Sequence, residues 1–211
     1  MPTTSDARFW DRTSRKYAKS AVADQAAYER TLDRTRALLR PGDQVLELGC
    51  GTGTTALELA TSVQSYLATD ISPGMITIAE EKRVASPRPG LIFRTATADE
   101  LSSDPAHFNA VLGFNYLHLV RDLSGTLRII HALLAPDGLF ISKTPCVGDM
   151  NPLIRLVLPL MRAIGQAPYA GVFRAADLPR QIESAGFDIL ATENHAAKKD
   201  DKRPYIVARK R

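Results

Sequence analysis

Apolar residues along the chain fall at helical spacing in some segments and in short continuous runs in others. Two early segments, Ser5–Ser20 and Asp24–Arg40, have helical spacing, and Pro41 with Gly42 ends the second. The chain then alternates between short apolar runs, which are typical of buried strands, and further helical segments. The predicted strands are Gln44–Leu48, Ser65–Thr69, Leu91–Thr95, Asn109–Phe114, Leu139–Ser142, Phe187–Ala191 and Tyr205–Ala208.

Helical segments separate most of the predicted strands. They lie at Thr54–Ser62, after Ser72 and Pro73, along Leu123–Leu134 before a stop at Pro136–Gly138, and at Ala175–Ala185. Strands joined by helices favour an α/β fold, in which a mainly parallel, Rossmann-like sheet carries helices on both faces. A length of 211 residues fits a single domain over 1–211, with N-terminal helices over 1–40.

Residues 144–174 interrupt the alternation between strands and helices. The segment contains an apolar stretch from Asn151 to Gly165, in which Pro159 is expected to kink any helix. Two interpretations are open. The insertion is either a helix that packs on the domain or a lid over the active site at the ends of the strands.

Composition and charge exclude several classes of protein. Apolar residues make up 45% of the chain and charged residues 24%, which is ordinary for a globular protein. The net charge of +4 is too small to favour a nucleic-acid partner. Because no apolar run reaches the roughly 18 residues of a membrane span and the N-terminus is polar, a cytoplasmic protein is expected. Cys50 and Cys146 lack metal-ligand spacing, so reduced thiols and no metal site are expected.

Basic residues recur along one face of the first predicted helix. They are Arg8, Arg12, Arg15 and Lys19, at spacings of four, three and four. The face is either ordinary solvated surface or a surface that attracts anionic substrates or lipid headgroups. In the second case, contact with lipid would be peripheral, without stable insertion into a membrane.

The strongest chemical motif is VLELGCGTG at 45–53. A predicted strand carries Glu47 and leads into Gly49, Gly51 and Gly53. Glycines allow a sharp turn and let a ligand lie against bare main chain. The spacing is G-x-G-x-G, whereas dinucleotide-binding fingerprints have G-x-G-x-x-G, and the absence of a following lysine excludes a phosphate-binding P-loop.

A second acidic residue, Asp70, ends the next predicted strand. A carboxylate at this place can accept hydrogen bonds from two ribose hydroxyls, and Ile71 beside it can pack on an adenine ring. Nicotinamide cofactors and S-adenosylmethionine (SAM) share this adenosine half. Glu47 favours SAM, because a carboxylate in the glycine loop would repel a pyrophosphate but tolerate an amino group.

These motifs resemble those of the class I SAM-dependent methyltransferases, and in particular the small bacterial enzymes of quinone-biosynthesis type. The matching segments, in the family's order, are VLELGCGTG at 45–53, TDISPGM at 69–75, TADEL at 97–101, FNAVLGFNYLHLV at 108–120 and LLAPDGLF at 133–140. From the first to the last, they span about half of the chain. The resemblance implies a seven-stranded sheet with the last strand antiparallel, SAM as cofactor, S-adenosylhomocysteine (SAH) as product, and an N-terminal helical lid.

The resemblance also implies which residues meet the cofactor. The glycine loop would hold the methionine part of SAM, and the residues around Asp70 would hold the ribose and adenine. The family's usual adenine-binding Asp is replaced here by Thr97, so the adenine amino group would fall to Thr97 or Asp99. The predicted cofactor-binding residues are Trp10, Tyr17, Glu47, Gly49, Cys50, Gly51, Gly53, Asp70, Ile71, Met75, Thr97, Ala98, Asp99 and Asn115.

Trp10 and Tyr17 are seven residues apart and are expected to lie together on the first helix. They either anchor this helix in the core or close a lid over SAM. His118, just past the fourth strand, is either a general base and substrate contact or a residue that packs locally. His131 is expected at the edge of the core, and His107 and His195 are expected to be solvated.

The acceptor is expected to be a small, fairly lipophilic molecule bound by His118, Tyr169 and Phe173 beside the apolar insertion. Other functions are open: a SAM-binding regulatory or degenerate domain without turnover, or an NAD-dependent oxidoreductase. The glycine spacing weighs against the oxidoreductase. The oligomeric state is expected to be a monomer or a homodimer.

Overall fold

The computed structural model describes residues 4–103, 107–150, 152–196 and 202–211. In this part of the chain, seven strands form one sheet in the order β3-β2-β1-β4-β5-β7-β6. The strands are β1 (Gln44–Leu48), β2 (Ser65–Asp70), β3 (Leu91–Thr95), β4 (Phe108–Phe114), β5 (Leu134–Lys143), β6 (Phe187–Glu193) and β7 (Tyr205–Lys210). Only β7 runs antiparallel to its neighbours, β5 and β6, so the predicted topology is confirmed.

Helices cover both faces of the sheet. The described helices are α1 (Thr4–Ala18), α2 (Gln25–Arg36), α3 (Thr54–Leu59), α4 (Pro73–Ala85), α5 (Ala98–Leu101), α6 (Leu123–Leu133), α7 (Pro152–Ala163) and α8 (Leu178–Ser184). Successive strand residues point to opposite faces and enter two separate apolar clusters. In β7, for example, Ile206 belongs to the cluster beneath α6 and α8, and Val207 to the cluster beneath α2 and α3.

Several element boundaries differ from the prediction. Strand β5 begins at Leu134 rather than Leu139, because Leu134 pairs with Phe108 before the register shifts. The turn at Pro136–Gly138, predicted to end a helix, therefore lies within β5, with Asp137 at a φ of 59°. Helix α2 ends at Arg36 rather than Arg40, and α8 begins three residues later than predicted.

His195 is buried, with 6% of its surface exposed, so its expected solvation is wrong. Its ring packs on Tyr205, and Thr31 Oγ1 lies 3.0 Å from its Nδ1. Glu193 Oε2 lies 3.0 Å from the other ring nitrogen. These contacts tie the β6–β7 hairpin to α2, a long-range packing interaction that local sequence patterns do not encode.

Helix α1 is docked on the N-terminus of α4. Ser72 caps α4 as predicted, since its Oγ accepts a hydrogen bond from Met75 N. Asp11 Oδ1 in turn accepts from Ser72 Oγ at 2.6 Å and from Gly74 N at 2.9 Å. A carboxylate at this end of a helix satisfies an otherwise unpaired backbone N–H and complements the helix dipole. Helix α1 is thereby fixed over the carboxyl edge of the sheet.

Gly53, which immediately precedes α3, has a φ of 73° and lies against a tightly packed ring. A Cβ atom at this position would lie 2.5 Å from Phe93 Cζ and 2.8 Å from the Cβ of Ala79. The glycine therefore satisfies two constraints of the fold itself: a left-handed backbone and the close approach of β3 and α4.

Replacing this glycine is expected to destabilise the fold. Gly53→Ala adds a Cβ at a positive φ and overpacks Phe93, so the free energy of unfolding should fall by about 2–4 kcal/mol. Urea denaturation of the isolated protein measures the change. The matched control is Gly42→Ala, where a Cβ would meet nothing within 4 Å. Equal stability of the two variants would contradict the packing argument.

Candidate functional site

A cavity of about 360 Å³ opens at the carboxyl ends of β1, β2 and β4. Open α/β sheets bind ligands at this edge. Fifteen of the predicted site residues line the cavity: Trp10, Tyr17, Glu47, Gly49, Cys50, Gly51, Asp70, Ile71, Met75, Thr97, Ala98, Asp99, Asn115, His118 and Tyr169. Gly53 and Phe173 do not line it. Phe173 instead packs against the apolar cluster beneath α6 and α8.

The glycine loop after β1 forms the floor of the cavity. Gly49 and Gly51 have φ values of 70° and 54°, which favour glycine. A Cβ on Gly49 would lie 2.8 Å from Tyr116 Cδ2, whereas one on Gly51 would lie 3.7 Å from the ring of Tyr17. The loop therefore passes between two tyrosine rings, and its bare main chain leaves room for a ligand.

Asp70 connects the loops that follow β1 and β2. Its Oδ2 accepts a hydrogen bond from Gly51 N, and its Oδ1 accepts one from Ser72 N, both at 2.9 Å. Burial raises the pKa of Asp70, although the two backbone N–H groups oppose this shift. Because each carboxylate oxygen can accept more than one hydrogen bond, Asp70 retains capacity for ligand hydroxyls.

Glu47 lies beneath the glycine loop and is 2% exposed. Tyr66 donates a hydrogen bond from its hydroxyl to Glu47 Oε2 at 2.8 Å. Burial raises the pKa of Glu47 to about 7, with a further upward contribution from Asp70. The carboxyl group is therefore divided between its neutral and ionised forms near neutral pH. A positively charged group nearby would favour the ionised form.

Trp10 and Tyr17 lie together on α1, as predicted, with ring centroids 6.1 Å apart. Both line the cavity, and neither belongs to the buried core, since Tyr17 is 48% exposed. Burial raises the pKa of Tyr17, and the carboxylates of Asp70 and Glu47 add to the shift. Of the two interpretations of this pair, the arrangement favours a wall of the cavity over an anchor in the core.

A tight turn after β4 brings Tyr116 and His118 to the cavity. Asn115 has a φ of 51°, which is uncommon for a residue other than glycine, and its N–H donates to Lys143 O. Strained backbone of this kind is concentrated at functional sites. Tyr116 is partly buried, its loss of hydration raises its pKa, and its ring covers Gly49. It was not among the predicted site residues, although it lies between two of them in sequence.

His118 is largely buried, and this burial lowers its pKa to about 4. Its Nδ1 atom is enclosed and has no hydrogen-bond partner among the described residues. Buried polar atoms without a partner are rare and call for an explanation, such as a ligand. The His118 carbonyl accepts a hydrogen bond from Gly171 N at 2.7 Å, which fixes the end of the insertion beside the histidine.

Two residues far apart in sequence form a further wall that sequence analysis missed. Arg121 donates two-pronged hydrogen bonds to the carboxylate of Asp6, at 2.9–3.0 Å. The Cζ atom of the same guanidinium lies 4.7 Å from the ring centroid of Tyr169. The Cζ atom of Arg162 lies 5.0 Å from the same ring centroid. No periodic pattern indicates such a pairing between α1 and the segment before α6.

The sequence left open whether Thr97 or Asp99 would accept a hydrogen bond from the adenine amino group, and the hydrogen bonds of Thr97 bear on this choice. Thr97 caps α5: its Oγ1 accepts from Glu100 N, and its N–H donates to Glu100 Oε2. Its hydroxyl is therefore already engaged in a capping box. Asp99 lines the cavity and is the better placed acceptor for an amino group of a ligand.

The described ranges contain no group of three or more His, Cys, Asp or Glu side chains that could hold a metal ion. Within the same ranges, none of the helices has the length and apolar character needed to cross a membrane.

Comparisons with known proteins identify relatives. A family model described as a methyltransferase domain matches residues 19–192. A ubiquinone biosynthesis O-methyltransferase of Methylocella silvestris is 36% identical over 115 residues, which make up 54% of this chain and 44% of that protein. A mitochondrial arginine-hydroxylase of Danio rerio is 30% identical over 202 residues, 87% of this chain and 60% of that protein. The chain thus spans less than two thirds of the length of either relative.

A solved structure shares the fold over nearly the whole chain. It is a magnesium protoporphyrin IX methyltransferase from Synechocystis PCC 6803 with bound SAH, which aligns with a TM-score of 0.70 at 20% identity. The alignment covers 98% of this chain and 95% of that chain. At this level of identity, the likeness establishes a common fold.

The buried state of His118 predicts a dependence of stability on pH. Its folded pKa of about 4 lies below the ordinary value of 6.5, so protonation favours the unfolded chain. Stability should therefore fall as the pH drops below about 6.5, by about 2 kcal/mol at pH 5 from this residue alone.

Urea denaturation of wild type and His118→Asn at pH 7 and pH 5 measures this contribution. Stability of the variant should decrease less than that of wild type between the two pH values. The exposed His107 provides the control, since His107→Asn should leave the wild-type difference in place. The same loss in His118→Asn as in wild type would show that His118 is not the responsible group.

Proposed function

Because the chain belongs to the class I SAM-dependent methyltransferase family, we propose that it transfers the methyl group of SAM to a small, lipophilic acceptor. The observation that carries this proposal is the convergence of the glycine loop, Glu47, Asp70 and His118 on one cavity. The first three would hold the cofactor, and His118 would face the acceptor.

The residues present fit SAM in charge and shape. SAM supplies an activated methyl carbon on a positively charged sulfur, together with an amino group. Glu47 and Asp70 provide two carboxylates, and the glycine loop provides uncovered main chain. We assign the ribose hydroxyls to Asp70, the adenine face to Ile71 and Met75, and the adenine amino group to Asp99. A pyrophosphate at the glycine loop would meet the carboxylate of Glu47, which weighs against NAD.

On the acceptor side, the main task of the protein is to hold two reactants at attack distance in a site shielded from water. His118 is neutral at physiological pH because of its low pKa, so its ring can accept a hydrogen bond or a proton. With so low a pKa His118 is a weak base, so it would serve mainly as a hydrogen-bond acceptor for the hydroxyl of the methyl acceptor, and an acidic hydroxyl, such as that of a phenol or an enol, suits it better than an aliphatic alcohol. Tyr169 and His118 would contact the acceptor directly.

Binding of SAH, in contrast to NAD, tests the cofactor assignment. Calorimetric titration should detect binding of SAH and no binding of NAD. Asp70→Ala should lower the affinity for SAH by about tenfold or more, since a charged hydrogen-bond acceptor is lost. The matched control is Asp43→Ala, an acid at the opposite end of β1 that lies outside the cavity. NAD binding without SAH binding would refute the assignment. SAH binding with no methyl transfer to phenolic and enolic acceptors would favour a domain without turnover.

The raised pKa of Glu47 predicts that cofactor binding releases protons. A cationic ligand favours the ionised carboxylate, so SAM affinity should decrease as the pH falls below about 7, by up to tenfold per pH unit. Calorimetry in buffers of different ionisation enthalpy gives the number of protons released. Glu47→Gln cannot ionise and should lose this pH dependence. A persistent dependence in the variant would assign the proton to another group.

We propose that α1 acts as a lid over the cofactor. The support is that Trp10 and Tyr17 face the cavity, while polar contacts of Asp11 and Asp6 hold the helix at its edge. Hydrogen exchange across residues 8–20 should slow when SAH binds. Unchanged exchange would leave α1 as a fixed part of the scaffold.

Peripheral contact with lipid is the second proposal for this protein. Helix α7 and the residue after it carry exposed apolar side chains at helical spacing, namely Leu153, Val157, Leu160 and Ile164, close to the basic side chain of Arg162. Such a face suits the surface of an anionic membrane. The protein should sediment together with phosphatidylglycerol vesicles, whereas the Leu160→Glu variant should remain in the supernatant. Equal retention of both proteins would exclude this face.

A further inference from the structure

A second cavity, of about 250 Å³, lies between α1 and the segment that follows α7. Side chains from both elements form its walls, and Arg12 of α1 donates a hydrogen bond to the carbonyl of Gly165 across it. Half of the ten lining residues are aromatic or basic, namely Arg8, Phe9, Arg12, Arg162 and Tyr169.

Positive charge dominates this second cavity, which we call the basic cavity. Three arginines line it, Arg8, Arg12 and Arg162, against a single acid, Asp6. The carboxylate of Asp6 is itself engaged by Arg121 in a two-pronged ion pair. Guanidinium groups gathered in a small concave space attract an anion, and their planar donors match the oxygens of carboxylates and phosphates.

The basic cavity adjoins the cavity at the carboxyl edge of the sheet. Asp6, Pro168 and Tyr169 belong to the walls of both. Tyr169 contacts Arg121, which lines the first cavity, and Arg162, which lines the second, each through its ring face. A single molecule that passes along Tyr169 can therefore reach both spaces.

We propose that the methyl acceptor carries an anionic group, a carboxylate or a phosphate, which binds in the basic cavity while its reacting atom lies near His118. This inference rests on the proposed function, since it concerns the acceptor of the same site. Arg12 and Arg162 bind the anion, and Tyr169 positions the body of the molecule between the two cavities. The acceptor is thus amphipathic, with an apolar body and a charged end.

Aromatic anions of small size serve as probes of the basic cavity. Benzoate and phenyl phosphate represent the two anionic groups, and benzamide is the neutral analogue of the same shape. Binding is followed by NMR chemical-shift titration, with and without SAH. The anions should bind at least about tenfold more tightly than benzamide, and shift changes should centre on residues 162–169 and 8–12. Added salt should weaken binding of the two anions and leave binding of benzamide unchanged.

Variants of Arg162 separate a built site from general surface charge. Arg162→Gln should weaken binding of the anions by about tenfold, whereas Arg162→Lys should restore part of it. The control Arg180→Gln removes the same charge from an exposed position that lines neither cavity, and it should have no effect. If Arg162→Gln does not fold, as its melting temperature would show, Arg12→Gln takes its place.

The outcomes distinguish this inference from the proposed function. Equal affinity for benzoate and benzamide, or equal losses in Arg162→Gln and Arg180→Gln, would overturn the anion site even if SAH binds. Failure to bind SAH would refute the cofactor assignment, while the titrations without SAH would still report on the basic cavity. Tighter binding of both anions than of benzamide, lost in Arg162→Gln, would support the anion site.

Discussion

The site depends on one constraint, which is the attachment of the Asp70 carboxylate to the backbone of two loops. Parallel pairing of β1 with β2 brings Gly51 and Ser72 to the same edge of the sheet, and each donates an N–H to Asp70. The hydrogen bonds fix both the glycine loop and the first turn of α4. Asp11, which caps that same turn, then positions α1. The floor and one wall of the cavity therefore follow from a single side chain.

Burial of carboxyl groups at this edge has an energetic cost that the protein alone offsets only in part. Glu47 receives a hydrogen bond from Tyr66 and yet has a pKa of about 7, because desolvation outweighs that bond. A site that keeps an acid near its point of half-ionisation is prepared for a positively charged partner. This preorganisation explains why the acids lie beneath the glycines, where a neutral side chain would be easier to bury.

Local motifs made much of this arrangement predictable. The glycine loop, the acid at the end of β2 and the capped start of α4 each extend over a few residues, and their roles follow from backbone geometry. Sequence could not give contacts such as Asp6 with Arg121, which are 115 residues apart. The structure also gives Gly53 a second role, because it packs against the ring of Phe93, and a glycine required by such a ring looks the same in sequence as one required by a ligand.

Helix α1 forms a wall of both cavities, and this has a consequence for the affinity of each ligand in the presence of the other. Trp10 and Tyr17 face one cavity, whereas Arg12 and Phe9 face the other. A ligand in either cavity would restrict the motion of the same helix. The first ligand to bind would therefore bear the loss of conformational entropy of α1, and the second would not bear it again. The second ligand then binds at a smaller entropic cost. Two molecules that need not touch each other would thus be thermodynamically coupled through a helix of 15 residues.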